Sequence, residues 1–137
     1  MSDLPALFDL SARSAVVTGG AGALGSVVAA ALAEAGASVA VIDLNKTDAS
    51  RVATSISNSG RHAIAVGADL SSEDEVDRAF AEIDQAFASV DILVNAVSGP
   101  VDRYAPEDFP LSAWEAMLAA NLTSYFLCSR AAARRPR

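Results

Sequence analysis

The chain has 137 residues, a formal net charge of −7 and an apolar share of 52%. That length suits one domain, residues 1–137, with enough apolar material for a packed core. The acidic balance repels phosphate backbones and excludes nucleic acid as an expected partner.

Cys128 is the only cysteine and His62 the only histidine, so neither an internal disulfide nor a Cys/His metal site is expected. A reducing, cytoplasmic setting fits that cysteine usage. No apolar run approaches the ~20 residues of a membrane-spanning helix; the longest, Val27 to Ala33, ends at Glu34. The N-terminus, Met1-Ser2-Asp3-Leu4-Pro5, carries no secretory pattern.

Ala15-Val16-Val17-Thr18 is a β-branched run closed by glycines, and it predicts a buried strand. Leu24 to Ala35 is Ala-rich without internal Gly or Pro beyond Gly25, and it predicts a helix stopped by Gly36. Ser38 to Ile42 reads as a second strand, Asp48 to Asn58 as a polar-faced helix stopped by Gly60, and His62 to Val66 as a third strand. Ser72-Glu73-Asp74-Glu75 reads as a capping box opening a helix to about Ala88. Val76, Phe80, Ile83 and Phe87 form its core-facing stripe. Asp91 to Val94 is a fourth strand. A loop with Pro100, Pro106 and Pro110 follows, then a helix from Ser112 to Arg135. Arg130, Arg134, Arg135 and Arg137 read as a solvated helix end, with an anion site as the alternative. Strand and helix alternate four times, and the strands are continuous apolar runs. The pattern predicts a doubly wound α/β fold with a parallel sheet of at least four strands.

The first strand leads into Thr18-Gly19-Gly20-Ala21-Gly22-Ala23-Leu24-Gly25 and then a helix. Gly20, Gly22 and Gly25 satisfy G-x-G-x-x-G in the strand–turn–helix context that a Rossmann-like dinucleotide site requires. Such glycines let the backbone approach a pyrophosphate, and the helix N-terminus presents free N–H groups to it. A tight turn without a ligand is the alternative. The G-x-x-x-x-G-K-[ST] loop is excluded, because the only lysine is Lys46. Asp43 ends the second strand, eighteen residues after Gly25. A carboxylate there accepts hydrogen bonds from ribose hydroxyls and repels a 2′-phosphate. Leu44 and Asn45 follow, with no Arg to receive that phosphate. The expected cofactor is therefore NAD rather than NADP, though a surface Asp ending a strand remains open.

From about Phe8 to Arg134 the sequence resembles the short-chain dehydrogenases/reductases. Thr18 to Gly25 is similar to their glycine turn, with Gly19, Gly20, Gly22, Ala23, Leu24 and Gly25 at the cofactor. Asp69-Leu70 resembles the segment set against the adenine ring. Asn95-Ala96-Val97-Ser98-Gly99 resembles the Asn-Asn-Ala-Gly segment that steadies the sheet and lines the cofactor. Asn121 resembles the helix asparagine of the catalytic tetrad, which would hold an ordered water in the proton path. The resemblance implies hydride transfer between a nicotinamide and an alcohol or ketone substrate, and pairing of chains through the Asn121 helix.

Ala23 departs from the T-G-x-x-x-G-x-G turn of the single-domain branch; Thr18-Gly19, Gly22 and Gly25 fit the T-G-x-x-G-x-x-G of the extended branch. Leu93-Val94-Asn95-Ala96 is similar to the single-domain branch, and the later segments weigh more. Neither Tyr104 nor Tyr125 has a lysine four residues on, so the family's Tyr-x-x-x-Lys is absent, as is its Ser. Tyr104 reads as a loop contact, and Tyr125, Trp114 and Phe126 as packing residues. The expectation is an oxidoreductase in incomplete form, with its C-terminal strands missing and no turnover alone. The other class is a non-catalytic nucleotide-binding remnant or interaction module.

Overall fold

The computed structural model describes residues 6–99 and 103–136; Pro100 and Arg137 lie outside them. Strands β1 (Ser14–Thr18), β2 (Ser38–Asp43), β3 (Ala63–Gly67) and β4 (Ile92–Asn95) form one parallel sheet in the order β3-β2-β1-β4. Parallel neighbours need crossovers. These are α1 (Ala23–Glu34), α2 (Lys46–Asn58) and α3 (Glu73–Ala86). After β4 come α4 (Leu111–Leu118), a π-helical turn (Ala119–Thr123) and α5 (Ser124–Ala133). The fold is the doubly wound, Rossmann-like α/β architecture.

Alternation along the strands divides the core in two. Ala15, Val17, Val39 and Val41 pack against Ala29 and Ala33 of α1 and Ala49 and Ile56 of α2. Val16, Ala40, Ile42 and Val66 pack on the other face against Val76, Phe80 and Ile83 of α3 and Leu127 and Cys128 of α5. The winding reverses at β1, which has β2 on one side and β4 on the other. Folds of this kind bind ligands at the carboxyl ends of the strands flanking that reversal.

Asp91 aligns β4 with β1. Its N–H donates to the Ser14 carbonyl at 2.9 Å, and its carboxylate accepts from the Ser14 N–H at 2.8 Å and Arg13 at 3.1 Å. The Ser14 amide bond, above all, holds the Asp91 carboxyl below the usual carboxylate range. Strand bounds shift by a residue from expectation: Asp91 and His62 stand just outside β4 and β3.

Several local readings are corrected. α3 starts after Ser72 as expected, but the Ser72 hydroxyl makes no cap bond. Glu75 instead reaches past it to the Asp69 N–H at 2.6 Å, so the box does not close. α2 begins at Lys46 because the Asn45 side chain accepts from the Thr47 and Asp48 amides. The helix expected from Ser112 to Arg135 is interrupted. Asn121 Nδ2 donates to the Met117 carbonyl at 2.9 Å and Ser124 Oγ to that of Ala120 at 2.5 Å. Side chains that bond back to the preceding turn compete with the α ladder and loosen it. Nor are Trp114 and Phe126 core residues: they are 53% and 58% exposed.

Two arginines of the supposedly solvated cluster fasten α5 to α3. Arg135 grips Asp84 with two bonds of 2.6 and 2.8 Å, and its guanidinium lies 4.9 Å from the Phe80 ring centre. Arg130 pairs with Glu73. Neither α3 carboxylate was foreseen as their partner, because the two helices meet only through the fold.

Candidate functional site

The carboxyl ends of β1, β2 and β4 open into a groove. Its floor is the turn between β1 and α1, where Gly19 takes φ +62°, the left-handed region. A Cβ on Gly19 would stand 2.6 Å from the Ala96 carbonyl oxygen. One on Gly25 would overlap the Gly19 carbonyl oxygen, so the turn folds back against the first turn of α1. Gly22 differs. Its φ is −70°, and a Cβ would meet only the Gly19 oxygen, at 3.3 Å. What Gly22 leaves clear is the groove itself, which it lines.

The turn's own amides are tied within the protein: Gly20 N–H to the Ile42 carbonyl, Ala21 N–H to Asp43 Oδ2 at 3.1 Å, and Gly22 N–H to the Gly19 carbonyl. The first helical amides are not. No side chain caps α1, and the Ala23, Leu24 and Gly25 N–H groups have no partner among the described residues. Unsatisfied donors at a helix N-terminus suit an anion such as a phosphate.

Two adjoining hollows run along the groove, of about 240 and about 470 Å³. They share Gly22, Ala96, Val97 and Ser98. The second reaches the size range of cofactor clefts by itself and the first only together with it. Asp43, Leu44, Asp69 and Leu70 line the first hollow. Ala23, Leu24, Gly25, Asn95 and Tyr125 line the second.

Asp43 accepts from the Ala21 and Asn45 amides, one on each carboxylate oxygen. Each oxygen keeps a second lone pair for a ligand hydroxyl. Lys46, the nearest cation in sequence, leans to Glu82 of α3 at 3.8 Å and does not line the hollow. Asp69 accepts from the Ser71 amide and hydroxyl, while Leu70 is buried.

Asn95 bridges three elements, accepting from Thr18 Oγ1 at 3.5 Å and donating to Ser129 Oγ at 3.2 Å. Asn121 does not enter either hollow with a free amide. Its oxygen accepts from the Gly99 N–H at 3.0 Å, and its nitrogen bonds the Met117 carbonyl. The groove thus gathers the residues that the sequence assigned to a cofactor except Gly20, which lines neither hollow and whose N–H is tied to the Ile42 carbonyl. It adds Val28, Leu44, Ala68, Ser71, Val94, Ala120, Ser124 and Tyr125. Tyr125, read as packing, donates its hydroxyl to the Val97 carbonyl at 2.9 Å. Only the hydroxyl on an otherwise apolar ring could have signalled that.

Residues 13–135 match the family model for short chain dehydrogenases. The chain belongs to the short-chain dehydrogenase family. Among its relatives, a short chain dehydrogenase/reductase of Colletotrichum higginsianum is 36% identical over 126 residues, which is 91% of this chain and 47% of that one. A hydroxysteroid dehydrogenase from Escherichia coli superposes with a TM-score of 0.87 at 31% identity, covering 93% of this chain and 53% of that one. The RhlG/NADP active-site complex of Pseudomonas aeruginosa gives 0.81 at 32%, covering 94% and 48%. The chain spans about half the length of most of the relatives it matches. Among the described residues, no helix is long and apolar enough to cross a membrane.

Proposed function

We propose that this chain is the dinucleotide-binding part of an NAD-dependent short-chain dehydrogenase/reductase acting on an alcohol or ketone. The observation that carries the reading is the uncapped N-terminus of α1, facing a glycine-floored groove with Asp43 at one end. The residues present fit such a cofactor. The amides of Ala23, Leu24 and Gly25 would take the pyrophosphate. Asp43 would accept from the ribose hydroxyls, and Asp69 and Leu70 would flank the adenine. When bound, a nicotinamide cofactor supplies hydride transfer, and the protein supplies binding, orientation and a proton path. Asn121 would help order water in that path only through the amide proton and lone pair left over from its bonds to Met117 and Gly99.

Family membership alone does not select the dinucleotide, since RhlG was captured with NADP. Asp43 supports NAD, because its charge would face a 2′-phosphate with no cation lining the same hollow. Titration of the chain with NADH and NADPH tests this. NADH is expected to bind at least about tenfold more tightly, a difference of roughly 1.4 kcal/mol, and Asp43→Ala is expected to narrow that gap. Equal affinities in the intact chain would overturn the assignment.

By itself the chain is expected to show no turnover. Lys46 is the only lysine, so neither tyrosine has a lysine partner to tune it, and losing general acid catalysis forfeits about 10²–10⁴ in rate. An exposed apolar stripe, Leu111, Trp114, Leu118, Leu122 and Phe126, runs along α4, the π-turn and α5. It supports pairing with a second copy through this limb.

A further inference from the structure

Three side chains of the last helical limb hold the segment that leaves β4. Asn121 Oδ1 accepts from the Gly99 N–H at 3.0 Å. Tyr125 Oη donates to the Val97 carbonyl at 2.9 Å. Ser129 Oγ accepts from Asn95 Nδ2 at 3.2 Å. Helix positions 121, 125 and 129 rise by fours while segment positions 99, 97 and 95 fall by twos. Four helical residues climb about 6 Å, and two extended residues cover about 6.6 Å. The antiparallel ladders therefore keep step for three rungs. The segment they hold, Ala96 to Ser98, is the wall common to both hollows of the groove.

We propose that Tyr125, supported by Ser129, is a positioning residue that sets this wall against the Gly22–Leu24 turn. It thereby fixes the width of the hollow that takes the dinucleotide beyond its adenosine. The proposal rests on the dinucleotide reading above. It assigns a purpose to a hydroxyl that packing does not need, since phenylalanine would fill the same space. Tyr125 is the one side chain described as donating to the Val97 carbonyl. A partly buried carbonyl that loses its donor gives up about one hydrogen bond's worth of order.

The test is Tyr125→Phe in the 137-residue chain, read in three ways. Without ligand, the Ser98 and Gly99 amides should exchange with deuterium about three- to tenfold faster, while the amides of β1 and β2 are unchanged. NADH should bind about three- to tenfold more weakly. AMP, anchored at Asp43 and Asp69, meets the wall only in the first hollow and should weaken by clearly less than NADH does. A general loosening of the fold would move AMP and NADH together and overturn the proposal, as would unchanged exchange at Ser98 and Gly99. Faster exchange with unaltered NADH affinity would also overturn it, leaving the hydroxyl a purely structural tie. Should Tyr125→Phe melt below the assay temperature, Ser129→Ala reads the same ladder from its far rung by the same three measures. If the intact chain binds neither NADH nor AMP, the dinucleotide reading falls and this proposal with it. If only the variants fail to discriminate, this proposal falls alone.

Discussion

Two regions border the groove and are built on different principles. The turn from Thr18 to Gly25 is shaped by backbone constraints: a left-handed Gly19, a Gly25 that admits no Cβ, and amides tied to carbonyls a few residues or one strand away. The limb of residues 111–135 has no such constraint. It is placed by long-range side-chain contacts, from Asn121 to Gly99, Tyr125 to Val97 and Arg135 to Asp84. A region fixed by its own backbone tolerates few substitutions and needs few partners. A region fixed by side chains can be released one contact at a time.

The sharpest way to break that contrast is at Gly25. Gly25→Val would set a branched side chain into the Gly19 carbonyl and the Gly20 Cα, backbone atoms that cannot swing aside. The expected loss is about 3 kcal/mol or more from a total of order 5–15 kcal/mol. It should read as a fall on the order of 10 °C in thermal midpoint. Gly22→Ala sharpens the contrast. There φ is ordinary and a Cβ would crowd only the Gly19 oxygen, at 3.3 Å, so the midpoint should fall far less than in Gly25→Val while NADH binding weakens. Equal destabilisation by both substitutions would mean that the turn is not graded in this way.

On the other side of the groove, Arg135→Ala removes the bidentate grip on Asp84 and the stacking on Phe80. The Arg135 side chain is 17% exposed and that of Asp84 48%, so solvent screens part of the pair. The expected loss is about 1–2 kcal/mol. Arg135→Lys should recover little of it, because an ammonium cannot make the fork. Cys128 reports the same event. Burial pushes its thiol up to about 11, so a thiol reagent at pH 8 should label the intact protein very slowly. Labelling should quicken in Arg135→Ala as α5 lifts from α3. An unchanged rate would show that the apolar contacts of Leu127 and Ala131 hold α5 without the arginine.

The same contrast explains what was legible in the sequence. β1, the glycine turn, α1 and β2 were legible to within about a residue, because β-branched runs and glycine positions report backbone geometry directly. So was the stripe Val76, Phe80, Ile83 and Phe87, each buried in the structure. Of the residues lining the groove, Gly22, Gly25 and Asp43 could be named from the turn motif and its spacing, whereas Asp69, Leu70, Asn95, Ala96 and Val97 were reached only through the family resemblance. Three features of the limb and its partners were not legible. The π-turn depends on Asn121 and Ser124 choosing backbone carbonyls over solvent, and helical propensity does not encode that choice. The arginine grip depends on Asp84, which is fifty-one residues away. The failed capping box at Ser72 was lost to a competitor, the Asp69 amide, which draws Glu75 away. Only the arginine grip needed a partner that the fold supplies; in the other two a nearby backbone group competed with the expected pattern.

The smallest expected effect lies at the junction between the two regions, where β4 joins the turn's sheet to the limb. Asp91 holds that junction with its carboxylate on the Ser14 amide, the Ser89 hydroxyl and Arg13. These contacts favour its charged form, led by the Ser14 bond, and its pKa lies below the ordinary value of 3.8. The unfolded chain therefore takes up the Asp91 proton at a higher pH than the folded one does. Stability from this group is fully present above about pH 4 and is lost as pH falls through the ordinary value toward the lowered one. Asp91→Asn keeps a side chain of the same size and removes the charge. Its stability should sit slightly below that of the parent at pH 6–7, and the two should converge as the pH approaches 3. Chemical denaturation at a series of pH values between 3 and 7 measures this directly. A constant offset across the whole range would assign the effect to lost hydrogen-bond geometry rather than to charge. A parent that loses nothing more than Asp91→Asn on acidification would remove Asp91 from the set of groups that hold β4 in register.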